Sequence, residues 1–188
     1  MPESNFILEA VPYERERAVE YARRWARRRN PLFYEFDDLG GDCTNFVSQC
    51  VLAGSCVMNF TPEVGWYFIG PSDRSPSWTG VTFFYDFMTQ NVGVGPFGRE
   101  VMREEAEVGD VVQLYNGERF YHTLLITDIR RGQIHVSAHS YDALDRPLGS
   151  YTYVSDRFIH LEGVRRDPRL TPIDCFSVLY DQPEDRSR

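Results

Sequence analysis

The spacing of apolar residues changes from three or four in the first half of the chain to two in the second half. Residues 13–29 carry an apolar stripe at helical spacing, which predicts an amphipathic helix that ends before Pro31. Residues 43–54 predict a second helix, and a third is predicted to start near Thr79. Residues 59–80, which are rich in Gly, Pro, Ser and Trp, are predicted to form a long ordered loop.

Beyond Glu107 the alternating pattern predicts strands, with Asn116-Gly117 as a hairpin turn. The predicted strands are residues 110–115, 120–129, 133–140 and 151–161. Helices followed by an antiparallel meander indicate an α+β fold. At 188 residues the chain is predicted to be a single domain, residues 1–188. We expect an edge strand within residues 171–180 and a frayed, charged tail at residues 181–188.

The net charge of −8 argues against a general nucleic-acid-binding protein, which would need a basic surface. Residues 23–29 contain five arginines, and we interpret them as a solvated helix face, with a basic docking patch as the alternative. No apolar run approaches the roughly 20 residues of a membrane span. Residues 1–10 show no secretory signal, so we expect a cytoplasmic protein or a domain of a larger exported cell-wall protein.

The four cysteines are expected to be reduced thiols. Cys43 and Cys50 are seven residues apart on one predicted helix, about 10 Å, which exceeds the reach of a disulfide. The chain contains no CxxC pair, so a structural zinc site is not expected. We predict neither a metal nor a cofactor.

The segment around Cys43 is the strongest candidate for chemistry. The glycine pair Gly40-Gly41 leads through Asp42 to the cysteine, and a helical pattern starts there. A thiol at the first turn of a helix faces unpaired N–H groups and the positive end of the helix dipole, which favour the nucleophilic thiolate. The alternative is that Cys43 is a small buried hydrophobic residue.

His122 is the best candidate for a base that activates this cysteine. It lies near the start of a predicted strand, on the same face as Leu124 and Ile126. That face is predicted to meet the core and the helix packed on it, which would bring His122 next to Cys43. The alternative is a histidine with satisfied hydrogen bonds at a sheet edge.

A third polar group is expected to orient the imidazole. We favour His139, with Asp142 as the alternative; alternation places His139 on the other face, so a bulge or the strand's end must turn it inward. Trp66, Trp78 and Tyr121 are predicted to line a substrate cleft, with ordinary packing as the alternative. A metal site formed by Cys43 and three histidines is disfavoured by their spacing; those histidines are His122, His135 and His139.

With these residues placed, the chain resembles the bacterial putative amidase domain family, within the papain-like group of NlpC and CHAP peptidases. The resemblance covers roughly residues 13–160 and is carried by residues 21–26, 41–49, 75–78, 121–124, 138–142 and 157–160. It implies a cysteine on a helix packed against an antiparallel sheet, a histidine at a strand start and a polar third residue on the following strand. Related members cut amide bonds in cell-wall peptides.

The predicted function is therefore cysteine-dependent hydrolysis of an amide bond through a thioester. The expected substrate is a peptide or a stem peptide of peptidoglycan, and neither a nucleic-acid partner nor a membrane span is expected. Two alternatives remain: an acyltransferase that uses the same Cys43 and His122, and a non-catalytic module that binds a peptide.

Overall fold

The computed structural model describes residues 7–183. The prediction of a frayed tail therefore lies outside the described residues from position 184 onward, and so does most of the N-terminal segment in which no secretory signal was found. Within the described residues, no helix combines the length and the hydrophobicity needed to cross a bilayer.

Helices and a predominantly antiparallel sheet make up the fold, as the α+β prediction requires. The helices are α1 (Arg15–Trp25), α2 (Cys43–Ser55), α3 (Pro76–Thr79), α4 (Val81–Gln90) and α5 (Phe176–Tyr180). The strands are β1 (Glu9–Val11), β2 (Phe68–Gly70), β3 (Asp73–Arg74), β4 (Gly95–Val101), β5 (Val111–Tyr115), β6 (Phe120–Arg130), β7 (Gln133–Ala138), β8 (Ala143–Pro147) and β9 (Ser155–Arg166). The first three predicted helices and the strands of the meander are thus confirmed, with shifted ends. The predicted loop 59–80 contains the small β2–β3 hairpin and α3.

The main sheet has the strand order β1-β9-β5-β6-β7-β8, and β4 also pairs with β9. Every pairing in it is antiparallel. β7 pairs with β6 only between Leu125 and Arg130. The earlier part of β6, where His122 lies, therefore has no β7 partner on that edge.

α2 is the central helix of the structure, and its residues 43–54 are all buried. It packs against α1, β6 and α3. A helix that is buried on every side is not amphipathic, and its side chains are either apolar or hydrogen-bonded within the protein. Its polar side chains are satisfied internally: Gln49 accepts a hydrogen bond from the Tyr21 hydroxyl at 2.7 Å, and Ser48 donates to the Trp78 carbonyl at 2.9 Å.

Both faces of the sheet are buried, and each has its own hydrophobic core. Leu125 belongs to the core shared with α1, α2 and α4, whereas Leu124 and Ile126 belong to a second core on the opposite face. The prediction that the Leu124 and Ile126 face meets the helices is therefore wrong. A strand that is buried on both faces gives no alternation from which the helix side can be identified.

The C-terminal segment differs from the prediction in two respects. Residues 171–180 form no edge strand; they contain the short helix α5 (Phe176–Tyr180). Cys56 and Cys175 form a disulfide, whereas Cys43 and Cys50 are free. The expectation of four reduced thiols is therefore wrong. The pair lies 119 residues apart, and spacing alone gives no indication of such a distant partner.

The arginine-rich segment 23–29 is not simply a solvated face. Arg24 hydrogen-bonds the Tyr180 carbonyl at 3.1 Å, and Arg23 bonds the Thr127 carbonyl at 2.9 Å. Arg29 bonds two carboxylates, those of Asp37 and Asp142. These arginines therefore connect α1 with the C-terminal helix, the sheet and the loop before α2.

Candidate active site

Cys43 and His122 line the same cavity. It has a volume of about 460 Å³ and is open to solvent on one side. Its other lining residues are Asp37, Gly40, Gly41, Tyr121, Ser140 and Tyr141. The structure thus brings together the predicted nucleophile, the predicted base and one of the predicted cleft residues, Tyr121.

The turn before α2 needs the glycine pair. Gly40 and Gly41 have φ values of 109° and 111°, which glycine adopts without the strain that a side chain would cause. The Asp42 carboxylate fixes this turn by accepting hydrogen bonds from the Phe36 backbone N–H at 2.9 Å and the Asn45 amide at 2.8 Å. This turn therefore places Cys43 at the first position of α2.

Cys43 is buried, with 7% of its surface exposed, and not at an exposed helix start as predicted. Burial raises the pKa of its thiol. Hydrogen bonds to the sulfur from the Thr123 backbone N–H and from Thr44 lower it, and the nearby Asp42 carboxylate raises it further. The net direction is upward, opposite to the expected effect of the helix dipole. The thiol form is favoured in the resting site.

The start of α2 is tied to the free edge of β6. The Thr44 and Thr123 hydroxyl oxygens lie 2.9 Å apart, and Gln113 donates to the Thr123 hydroxyl at 3.2 Å. The register of β6 against β5 shifts between Leu114, which pairs with His122, and Tyr115, which pairs with Phe120. Tyr121 is thus the extra residue of a bulge, and bulges re-aim neighbouring side chains. This irregularity places His122 at the cavity.

The His122 ring is buried, and burial lowers its pKa to about 4, with a smaller contribution from the Arg146 cation. Its ring lies 6.0 Å from the rings of both Tyr121 and Tyr151. Within residues 7–183 the nitrogens of this ring have no hydrogen-bond partner, and the Cys43 sulfur is bonded to Thr44 and Thr123 and not to them. The resting pair is therefore a neutral thiol and a neutral imidazole that face one cavity.

His139 is fully buried and is engaged elsewhere. Its Nδ1 lies 2.6 Å from an Asp42 carboxylate oxygen, and its Nε2 lies 2.9 Å from the Trp25 carbonyl oxygen. Both ring nitrogens are thus within hydrogen-bond distance of an oxygen atom of the scaffold. The ring also stacks on Phe46 at 4.0 Å. The structure does not bring His139 to His122; it brings it to the residue that precedes the nucleophile.

Asp142 does not reach His122 either. Its carboxylate binds the Arg29 guanidinium at 2.9 Å, and it lies beside a different cavity. Arg29 also binds Asp37 at 2.6 Å. This charge pair lowers the pKa of the Asp37 carboxyl and raises that of Arg29, and the Ser140 hydroxyl adds to the effect on Asp37.

Two of the three predicted cleft residues are in the core. Trp66 and Trp78 are completely buried, and their indole N–H groups donate to α2 side chains, Ser48 at 3.1 Å and Asn45 at 2.8 Å. The loop that carries them folds inward onto α2, because each ring has an apolar body and one N–H that a helix side chain satisfies. The prediction that they wall a substrate cleft is therefore wrong, whereas Tyr121 does line the cavity.

Sequence reasoning missed Ser140 as a member of this site. Its hydroxyl accepts a hydrogen bond from the Asp42 backbone N–H at 2.6 Å and donates to Asp37 at 2.8 Å. Ser140 and the next residue, Tyr141, both have positive φ values, 56° and 81°. Non-glycine residues in this conformation concentrate at functional sites. The run Ala138-His139-Ser140 was noted for its histidine, and no sequence signal pointed to the serine.

Within the described residues, no group of three or more His, Cys, Asp or Glu side chains is arranged to hold a metal ion. The site consists of a cysteine at the start of a helix and a histidine near the start of a strand, and both line one cavity.

The sequence of the chain matches the model of a known protein family. A family model described as "Putative amidase domain" matches residues 12–161, which is most of the chain. The chain therefore belongs to the putative amidase domain family. The description of the family points to hydrolysis of amide bonds as the reaction of its members.

A relative comes from Bacillus subtilis (strain 168), the "Uncharacterized protein YhbB". It is 33% identical over 139 residues, which are 71% of this chain and 43% of that protein. The chain thus spans less than half the length of the relative that it matches. No solved structure matches the chain significantly.

Proposed function

We propose that the protein is a cysteine-dependent amidase of the papain-like kind, in which Cys43 is the nucleophile and His122 is the general base and acid. The observation that carries the proposal is that these two side chains, distant in sequence, line one cavity at the start of α2. A cysteine on a helix packed on an antiparallel sheet, with the histidine at a strand start, is the arrangement typical of papain-like enzymes.

The proposed reaction has two halves. In the first, the His122 imidazole takes the Cys43 thiol proton while the sulfur bonds to the substrate carbonyl carbon; the carbon–nitrogen bond then breaks and His122 returns the proton to the leaving amine. In the second, His122 takes a proton from water as the water oxygen attacks the thioester. The carbon–sulfur bond breaks, the carboxylic acid leaves and the thiol is restored.

A neutral imidazole suits this sequence of proton transfers. Because burial lowers the pKa of His122 to about 4, the ring is unprotonated near neutral pH and able to accept a proton. Because burial raises the pKa of Cys43, the thiol still carries the proton that must be removed. The ion pair is thus formed during the reaction and not stored in the resting enzyme.

The start of α2 supplies a binding site for the developing oxyanion. No side chain caps this helix, so the backbone N–H of Cys43 at its start remains available. The Asp42 N–H is taken by Ser140, which leaves the N–H of Cys43 itself as the donor nearest to the sulfur. Donors of this kind are worth about 3–4 kcal/mol each in acyl transfer.

We propose a peptide as the substrate, and among peptides the stem peptides of peptidoglycan. The open side of the cavity leaves room for an extended chain, and Tyr121 and Tyr141 provide exposed aromatic surface at its rim. The cell-wall assignment rests on the resemblance to peptidases that act on cell-wall peptides.

The nucleophile is tested with Cys43→Ala, and Cys50→Ala is the matched control, because Cys50 is the other free thiol on the same helix. Short peptides that copy cell-wall stem peptides serve as substrates, and product formation is followed by mass spectrometry. We expect Cys43→Ala to lose at least about 10³-fold in kcat/KM, whereas Cys50→Ala keeps the rate. Acid-quenched wild-type enzyme should carry the acyl group on Cys43.

Hydrolysis that survives Cys43→Ala would contradict the proposal, and so would an acyl group found on Cys50. Repeating the reaction with an added amine tests what accepts the acyl group. Products that contain the amine in place of the free acid would replace the hydrolase with an acyltransferase that uses the same cysteine.

A further inference from the structure

The environment of His122 contains a cation and an aromatic ring where a polar orienting partner is expected. Tyr151, which follows β8, lies with its ring 6.0 Å from the His122 ring. The Arg146 guanidinium lies over the Tyr151 ring, 4.0 Å from its centroid. The three side chains therefore form a row that runs from the cavity past Tyr151, which packs against the second core, to the half-exposed Arg146.

We propose that Tyr151 and Arg146 are positioning residues for His122: the Tyr151 ring holds the imidazole toward the cavity, and the fixed Arg146 guanidinium holds the Tyr151 ring. This inference rests on the proposed function, in which His122 is the base. It replaces the orienting role that was predicted for His139 or Asp142.

The Arg146 cation is held firmly enough to act in this way. Its Nε donates to the Ser150 hydroxyl at 2.8 Å, and a second N–H donates to the Ser150 carbonyl at 3.0 Å. The Ser150 hydroxyl in turn donates to the Pro147 carbonyl at 2.7 Å. A guanidinium with these bonds keeps its position, so its charge acts on the Tyr151 ring and on the site beyond it.

Among the described residues the imidazole has ring contacts in place of hydrogen bonds, with Tyr121 and Tyr151, whose rings are each 6.0 Å away. The Tyr151 hydroxyl is buried, and Arg146 is the charged group beside it. Burial raises the pKa of Tyr151, and the neighbouring Arg146 opposes the rise. Tyr151 thus stays neutral and adds no charge of its own to the site.

Other titratable groups also face the cavity and bear on His122. Cys43 lies at the start of α2, Asp37 on the loop before it, and Tyr121 and Tyr141 at the rim. Asp37 is paired with Arg29, so its charge is compensated locally. Arg146 is the charged group whose effect opposes protonation of His122.

The test measures the pKa of His122 by NMR of histidine-labelled protein, with the resonance assigned by its loss in His122→Gln. Arg146→Gln should raise that pKa above about 4, because a cation that disfavours the imidazolium is removed, while burial, which is the larger cause of the lowered pKa, remains. Arg146→Lys, which keeps the charge, should restore a value close to that of the wild type. Arg130→Gln controls for the change in net charge. Arg130 is the last residue of β6, the strand that carries His122, and is exposed, so this variant should leave the pKa of His122 unchanged.

The ring is tested with Tyr151→Leu, and Tyr153→Leu is the control, because Tyr153 packs against the same second core. We expect Tyr151→Leu to lower kcat at least tenfold with little change in KM. Tyr151→Phe, which keeps the ring, should recover most of that loss. Unfolding curves for all variants identify any that lose activity through loss of structure.

Two results would overturn the inference. One is a His122 pKa that is equal in Arg146→Gln and Arg146→Lys. The other is a Tyr151→Leu enzyme that is as active as the Tyr153→Leu control. Because the NMR titration requires no activity, it distinguishes failure of this inference from failure of the proposed function.

Discussion

Two buried histidines flank the nucleophile, and their surroundings are opposite. Both ring nitrogens of His139 are within hydrogen-bond distance of an oxygen, one of Asp42 and one of the Trp25 carbonyl, and the ring stacks on Phe46. His122 lines an open cavity, and within the described part of the chain its ring nitrogens have no hydrogen-bond partner. The first histidine is fixed as part of the scaffold, whereas the second is free to exchange a proton.

This difference shows how one site divides two tasks. A buried ring with two satisfied nitrogens stabilises the turn that it bonds but has no free lone pair with which to accept a proton. A buried ring without partners costs stability as the pH falls below its ordinary pKa of 6.5, because burial disfavours its charged form, but it is available to a substrate. Stability and reactivity are thus assigned to different histidines on neighbouring strands, β6 and β7.

The largest expected effect is that of His122→Gln, which removes the base and keeps a similar volume. We expect kcat to fall by about 10³-fold, because general acid–base catalysis contributes on this scale. The free energy of unfolding should not decrease, since no hydrogen bond of the ring is lost. Peptide hydrolysis and urea unfolding measure the two quantities, with His135→Gln as the control. If His122→Gln were both inactive and unfolded, His122 would be needed for the fold as His139 is, and the contrast between the two histidines would be wrong.

The second effect is that of His139→Ala on stability. It removes the imidazole contact of one Asp42 carboxylate oxygen and of the Trp25 carbonyl oxygen in a buried place, so we expect the free energy of unfolding to fall by about 1–3 kcal/mol for each of the two groups. His135→Ala is the control on the same strand, because that histidine has only a local contact to the Gln133 carbonyl, 3.2 Å away. If His139→Ala unfolds no more easily than the control, the scaffold role of His139 is wrong.

The third effect is that of removing the disulfide, which shows whether a loss of stability alone lowers activity. Replacing both Cys56 and Cys175 by Ser should lower the free energy of unfolding by about 2–4 kcal/mol. The bond lies at the end of α2 opposite to Cys43, about 20 Å along the helix axis. We therefore expect kcat at room temperature to remain near that of the wild type. A parallel loss of kcat would mean that stability alone limits activity, and the His139→Ala result would then need the same explanation.

The sequence predicted the elements of this site better than their faces. The helix at Cys43, the glycine turn and the hairpin before His122 follow from local signals: spacing, positive-φ residues and turn residues. The face of β6 could not be predicted, because a strand buried on both sides shows no alternation. The bulge at Tyr121, which places His122 at the cavity, has no signal of its own.

Contacts between residues that are distant in sequence could not be predicted either. The bond between His139 and Asp42 joins residues 97 positions apart, and the disulfide joins residues 119 apart. Trp66 and Trp78 looked like cleft residues because they lie in a long loop, but their N–H groups bond to α2. In each case the tertiary partner, and not the local pattern, decides the role of the residue.

The central claim is that His122 accepts the proton of Cys43 across their shared cavity. The most direct test is the rate of Cys43 alkylation by iodoacetamide, mapped by peptide mass spectrometry on both sides of pH 4, in the wild type and in His122→Gln. Because His122 is protonated below that pH, the wild-type rate should rise with pH through a midpoint near 4, and His122→Gln should lack this rise. Identical profiles in the two proteins, or alkylation that falls on Cys50 and spares Cys43, would contradict the account.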